Sequence, residues 1–156
     1  MLSHLDLGFV TGDVLLGLLL KSPVLRTLVF KVITSAKIFQ VFRILIHPFT
    51  LFVLMINFNH QGISKFDMEL LNSAAVPECL TFTLQVVKFG SLNGFEHELC
   101  VAKFVMENAL MLERMSFSID FRQRKSKVIE EFKEKLFSYK KAFSCAIIEF
   151  SNHFLF

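Results

Sequence analysis

A short apolar template recurs along this chain and constrains its fold more than any other feature. Leu2-Ser-His-Leu5-Asp-Leu7 and Leu25-Arg-Thr-Leu28-Val-Phe30 both read L-x-x-L-x-L. Leu84-Gln-Val-Val87-Lys-Phe89, Leu112-Glu-Arg-Met115-Ser-Phe117 and Cys145-Ala-Ile-Ile148-Glu-Phe150 keep an apolar residue at the same positions and end in Phe. A repeat unit buries its apolar face only against a neighbouring copy, so the template predicts short strands with those side chains turned inward. Between the copies the apolar spacing becomes helical, at Leu99, Ala102, Met106 and Ala109 and again at Ile129, Phe132 and Leu136. Thr11 is placed to cap a helix over Val14 to Leu20, Asn93-Gly94 to break the chain before Phe95, and Ser126 to cap the last helix.

The template copies start 23, 59, 28 and 33 residues apart, against a period of roughly 20–29 for leucine-rich repeats. The long interval holds Val32 to Gln61, rich in Phe, Ile and Leu, with Lys37 and Arg43 as its only charges. Removing that stretch leaves an interval of 29 and runs Lys31 into Gly62 ahead of a helical stretch from Phe66 to Ala75. Valine codons begin GT, and Lys31 and Gln61 can be AAG and CAG, so the borders can spell those of an intron. The expected fold is therefore α/β, a short leucine-rich-repeat-like βα solenoid with a small, mostly parallel sheet. It is interrupted by an apolar insert at 32–61 that lies extruded or helical outside the sheet and is read as a retained intron.

The run from Ile44 to Ile56 has a competing reading as a membrane segment. Against it stand its 13-residue length, the interruptions at His47, Pro48 and Thr50, and Arg43 just outside it. An arginine near the centre of a spanning helix costs about 2.5 kcal/mol or more. Should the run span, Lys37 and Arg43 place its N-terminal flank on the cytoplasmic side.

Composition narrows function mainly by exclusion. A net charge of +3 over 156 residues is too weak a field for phosphate-driven nucleic-acid binding. Cys79, Cys100 and Cys145 stand far apart and form no metal or disulfide spacing, and they are expected as buried packing residues in a reducing compartment. His97, between Glu96 and Glu98, is expected as a solvated first-turn residue; His4, His47, His60 and His153 are scattered. Gly12, Gly17, Gly90 and Gly94 match no phosphate-binding pattern. The basic cluster Arg122-Gln-Arg-Lys-Ser-Lys127 is followed by Glu130, Glu131 and Glu134, which offset its field, so it reads as a solvated loop leading to an exposed helix with Glu–Lys pairs. No catalytic, cofactor-binding or metal-binding residue is expected.

Val76-Pro-Glu-Cys-Leu80, Leu84 to Phe89, Ala102-Lys-Phe-Val-Met-Glu-Asn-Ala109 and Leu112 to Phe117 together resemble the FBD domain, found at the C-terminus of plant F-box and leucine-rich-repeat proteins. The stretches Lys127 to Lys135 and Ala146 to Phe150 resemble that family's ending. The division expected from this is a truncated repeat unit at 1–31, the insert at 32–61, the rest of the interrupted repeat at 62–75, an FBD-like domain at 76–150 and a tail at 151–156. The resemblance implies a non-catalytic protein-interaction module, the target-recognition end of an F-box ubiquitin-ligase subunit, with an unknown target protein as its partner. The template opens at Leu2, so the F-box is expected to be missing and adaptor binding with it. The implied location is cytoplasmic or nuclear. The alternatives are a small membrane-associated protein, held only through residues 32–61, and a truncated splice product without function of its own.

Overall fold

A computed structural model of the chain describes residues 4–6, 24–32, 50–58, 76–120 and 127–152. Among the described residues there are six strands: β1 (His4–Asp6), β2 (Val24–Val32), β3 (Thr50–Phe58), β4 (Val86–Leu92), β5 (Arg114–Ile119) and β6 (Ile147–Ser151). They form one sheet whose spatial order equals the chain order, with every neighbouring pair parallel. Parallel neighbours need a crossover between them, and crossovers of one hand lay their helices on the same face. Helix α1 (Glu78–Phe82) leads into β4, α2 (Glu96–Asn108) joins β4 to β5, and α3 (Lys127–Ser138) lies between β5 and β6.

The strand register reproduces the sequence template. Its fourth position forms one row, Leu5, Leu28, Leu54, Val87, Met115 and Ile148, and its sixth a second, Phe30, Ile56, Phe89, Phe117 and Phe150. Leu54, Val87, Met115, Ile56, Phe89 and Phe117 are fully buried and join one core with Leu99, Ala102 and Met106 of α2 and Ile129, Phe132 and Leu136 of α3. Both helices expected from periodicity are therefore present, although Ala109 falls just past the end of α2. The expected helices at Val14–Leu20 and Phe66–Ala75, and Ser126 as a cap, lie outside the described residues. Strands β4, β5 and β6 each begin two residues after their template copy does, because the first template residue closes the preceding turn.

Stacking follows from the sheet spacing. Neighbouring strands lie about 4.8 Å apart, and the Phe89–Phe117 and Phe117–Phe150 rings stack nearly parallel with their centroids 4.8 Å apart in both pairs. Phe132 meets Phe117 edge-on at 5.7 Å, tying α3 to this ladder.

The expectation that residues 32–61 stand outside the fold is corrected by β3. Thr50–Phe58 lies between β2 and β4, paired in register with both, and Val32 closes β2. Leu51, Leu54 and Ile56 are fully buried in the core and form a template copy of their own. This copy divides the long interval into 26 and 33 residues, in keeping with the others. Thr83, just past α1, fastens the start of β3: its hydroxyl accepts from Leu51 N at 3.1 Å and lies within donating distance of Leu51 O (2.7 Å) and Cys79 O (2.8 Å). Gln85 N adds a 2.9 Å bond to Phe52 O. The spacing anomaly that motivated the intron reading is thereby removed. The sequence hid this copy because strands of a parallel sheet read as continuous apolar runs; Phe52, Val53 and Met55 mask the alternation in Leu51-Phe-Val-Leu-Met-Ile56.

Two backbone features shape the exit from β4. Phe89 pairs with Phe117 and Leu92 with Ile119, so three steps on β4 oppose two on β5, a bulge that places Ser91 at φ +56°. Gly94 then turns at φ +85°, where an added Cβ would stand 2.6 Å from Val128 Cγ1 and 3.3 Å from Val128 O. A left-handed conformation costs an L-residue about 1–2 kcal/mol before any clash. Gly94→Ala is therefore expected to lower stability by at least that amount, measured as a fall in the urea midpoint.

Candidate protein-interaction face

The third and fifth template positions alternate with the buried ones, so they occupy the sheet face opposite the helix-packed core. The third-position row reads His4, Thr27, Val53, Val86, Arg114 and Ile147; the fifth reads Asp6, Val29, Met55, Lys88, Ser116 and Glu149. Val53, Met55, Val86 and Lys88 are half-buried, Arg114 is exposed, and Ile147 is 55% exposed. Among the described residues this surface is a half-exposed aliphatic strip with charges beside it.

The charges have a defined geometry. Arg114 Nη1 donates to Glu149 Oε1 at 2.9 Å, and Ser116 Oγ donates to the same oxygen at 2.8 Å. These two hydrogen bonds hold the Glu149 carboxyl below its ordinary pKa, Ser116 contributing most, with Lys88 adding a weaker attraction. An exposed pair of this kind contributes little to stability; its consequence is to fix where the guanidinium stands. Arg114, Lys88 and Glu149 were not singled out from sequence. The signal was available, because each stands at the third or fifth position of a template whose other positions had been assigned to the core.

A second polar cluster opens α2. Glu98 is fully buried, accepting from Phe95 N at 2.7 Å and from Asn93 N at 3.1 Å. Burial pushes its carboxyl up to about 8, against the pull of the backbone N–H groups of Phe95, Asn93 and Gly94 and with a small push from Asp120. His97 corrects an expectation: it is 5% exposed rather than solvated, and burial lowers its pKa to about 4. Its ring stacks on Phe95 at 5.6 Å. With Glu98 raised, the folded chain binds the extra proton between about 4.5 and 8; with His97 depressed, the unfolded chain binds it between about 4 and 6.5. These slopes oppose each other up to about pH 6.5, and above it only that of Glu98 remains. Stability is expected to be nearly level below that pH and to fall towards pH 8 by at most about 1.4 kcal/mol per unit. Urea midpoints measured from pH 5 to 8 check this, and Glu98→Gln should flatten the decline.

The other residues weighed from sequence do not converge on a reaction centre. Cys79 is buried, with its thiol pushed up to about 11, and Cys100 is half-buried. Cys145 is exposed, contrary to expectation, because it lies in the turn before β6. Lys127 opens α3 on its exposed side, and Glu130 pairs with Lys133 at 3.4 Å. Residues 122–126, His47, His60, His153, Gly12 and Gly17 lie outside the described residues. Gly90 and Gly94 serve the bulge and turn after β4. A cavity of about 380 Å³ between α2 and α3 is lined by Leu99, Phe132, Tyr139, Lys135, Glu96 and Glu131, with no nucleophile paired to a base. Among the described residues, no group of three His, Cys, Asp or Glu side chains could hold a metal, and no helix is long and apolar enough to cross a membrane.

These features define an α/β protein built on a small parallel sheet with one helix-packed face. Residues 72–117 match the FBD family, so the resemblance drawn from the sequence is shown over that segment. The match begins four residues before the expected boundary at 76 and ends at Phe117. It takes in α1, β4, α2 and β5 as far as Phe117, while α3 and β6 lie beyond it. No curated protein and no solved structure matches the chain.

Proposed function

We propose that this chain is a non-catalytic protein-interaction module, a short leucine-rich-repeat-like solenoid that presents the open sheet face to a target protein. The observation that carries the reading is the template register: the fourth-position row runs from β1 to β6 and the sixth from β2 to β6, both are fully buried in β3, β4 and β5, and the residue types at the third and fifth positions vary. Repeat sheets bind partners through such variable positions on one continuous surface. The FBD match supports placing the module at the target-recognition end of an F-box ubiquitin-ligase subunit. Fold alone does not assign a target.

Site-specific photo-crosslinking in cells tests this. A photoreactive residue at Met55 or Ile147 is expected to capture one common protein, and the same residue at Glu131 on α3 is not. Equal capture from all three positions, or none from the sheet face, would count against the face as a docking surface.

A further inference from the structure

We infer that the sheet face takes an extended protein segment carrying a carboxylate beside an aliphatic side chain, with Lys88 and Arg114 receiving the carboxylate. This rests on the protein-interaction reading above and specifies the chemistry of the partner. On the described part of the face, Lys88 and Arg114 oppose the single carboxylate of Glu149. Glu149 engages Arg114 through Nη1 alone, and a guanidinium retains further N–H donors that can bind a second carboxylate. Lys88, half-buried on the adjacent strand, makes no ion pair among the described residues. Asp6 shares its row but sits three strands away. That is a backbone separation of about 14 Å at the sheet spacing.

The aliphatic half of the site adjoins the cations directly. Val86 stands next to Arg114 in the third-position row, and Met55 next to Lys88 in the fifth. Val53 completes the strip beside Val86. A segment crossing the strands can therefore lay an aliphatic side chain on Val53, Met55 and Val86 while its carboxylate meets Lys88 and Arg114 one strand further on. The aliphatic contact excludes water from the charge pair, which strengthens the pairing. A basic segment would meet two cations at the same place.

Selection of phage-displayed random peptides against the full-length protein provides the test. The expected outcome is enrichment of peptides pairing Asp or Glu with Leu, Ile, Val or Met. Lys88→Gln should weaken a selected peptide about tenfold, equivalent to ~1.4 kcal/mol, and Lys88→Glu should abolish the acidic preference. Circular dichroism melts of both variants establish that they remain folded, and Lys88→Gln keeps the test open if Lys88→Glu does not. Peptides that need Met55 on this face, shown by loss with Met55→Glu, but have no acidic preference would overturn the inference and leave the interaction reading standing. Peptides insensitive to both Lys88 and Met55 variants, or no enrichment at all, would overturn the inference and also remove support for the face as a docking surface.

Discussion

Truncating Phe117 to alanine is expected to lower the unfolding free energy by about 3–5 kcal/mol, the usual cost of removing a buried phenylalanine. The residue is fully buried and central to the ring ladder, stacked on Phe89 and Phe150 at 4.8 Å and met edge-on by Phe132. Aromatic pairs contribute about 0.5–1.5 kcal/mol beyond area burial, so the loss belongs towards the upper end. Phe150 offers a control within the same ladder: it is only half-buried at the last strand, where one side of its ring carries Lys133 at 5.0 Å. Phe150→Ala should cost distinctly less. Equal urea midpoints for the parent and Phe117→Ala would mean that the register is misassigned.

The second large effect concerns residues 32–61, which carry β3. Deleting residues 32–61 joins β2 to the approach to α1 and removes β3 with Leu51, Leu54 and Ile56 from the core. It also strips Thr83 of its bonds to Leu51 and Gln85 N of its bond to Phe52 O. The apolar edge of β4 would then face solvent, and exposed strand edges are pairing and aggregation sites. The shortened chain is expected to be insoluble or to lose cooperative unfolding, read by sedimentation and thermal melting. A shortened chain as stable as the parent would restore the segment's status as foreign to the fold.

Much of the fold could be read from the sequence because the template encodes burial directly. Leu28, Val87, Met115 and Ile148 take the positions their spacing indicates, and the helical spacings at Leu99 and Ile129 mark real helices. The failure at β3 has a physical cause: its outward positions, Val53 and Met55, are apolar as well, so neither period nor polarity marks the strand. His97 and Glu98 show a different limit. Both sit in a polar first turn that reads as solvated, and their burial depends on the bulge after Phe89 and the turn at Gly94, which set the position of α2 against the sheet. The proposed docking face was obscured for the opposite reason. Lys88, Arg114 and Glu149 are far apart in the chain, and only the parallel register brings them together.

Hydrogen exchange followed by mass spectrometry on the intact chain tests most directly whether β3 belongs to the sheet. Amides buried in a sheet exchange only through larger opening events. The expected result is protection across Leu51–Asn57 comparable to that of Val87–Phe89 in β4 and Met115–Ile119 in β5. Exchange of Leu51–Asn57 at the rate of an unstructured peptide, with β4 and β5 still protected, would contradict the sheet order and return the segment to a place outside the fold.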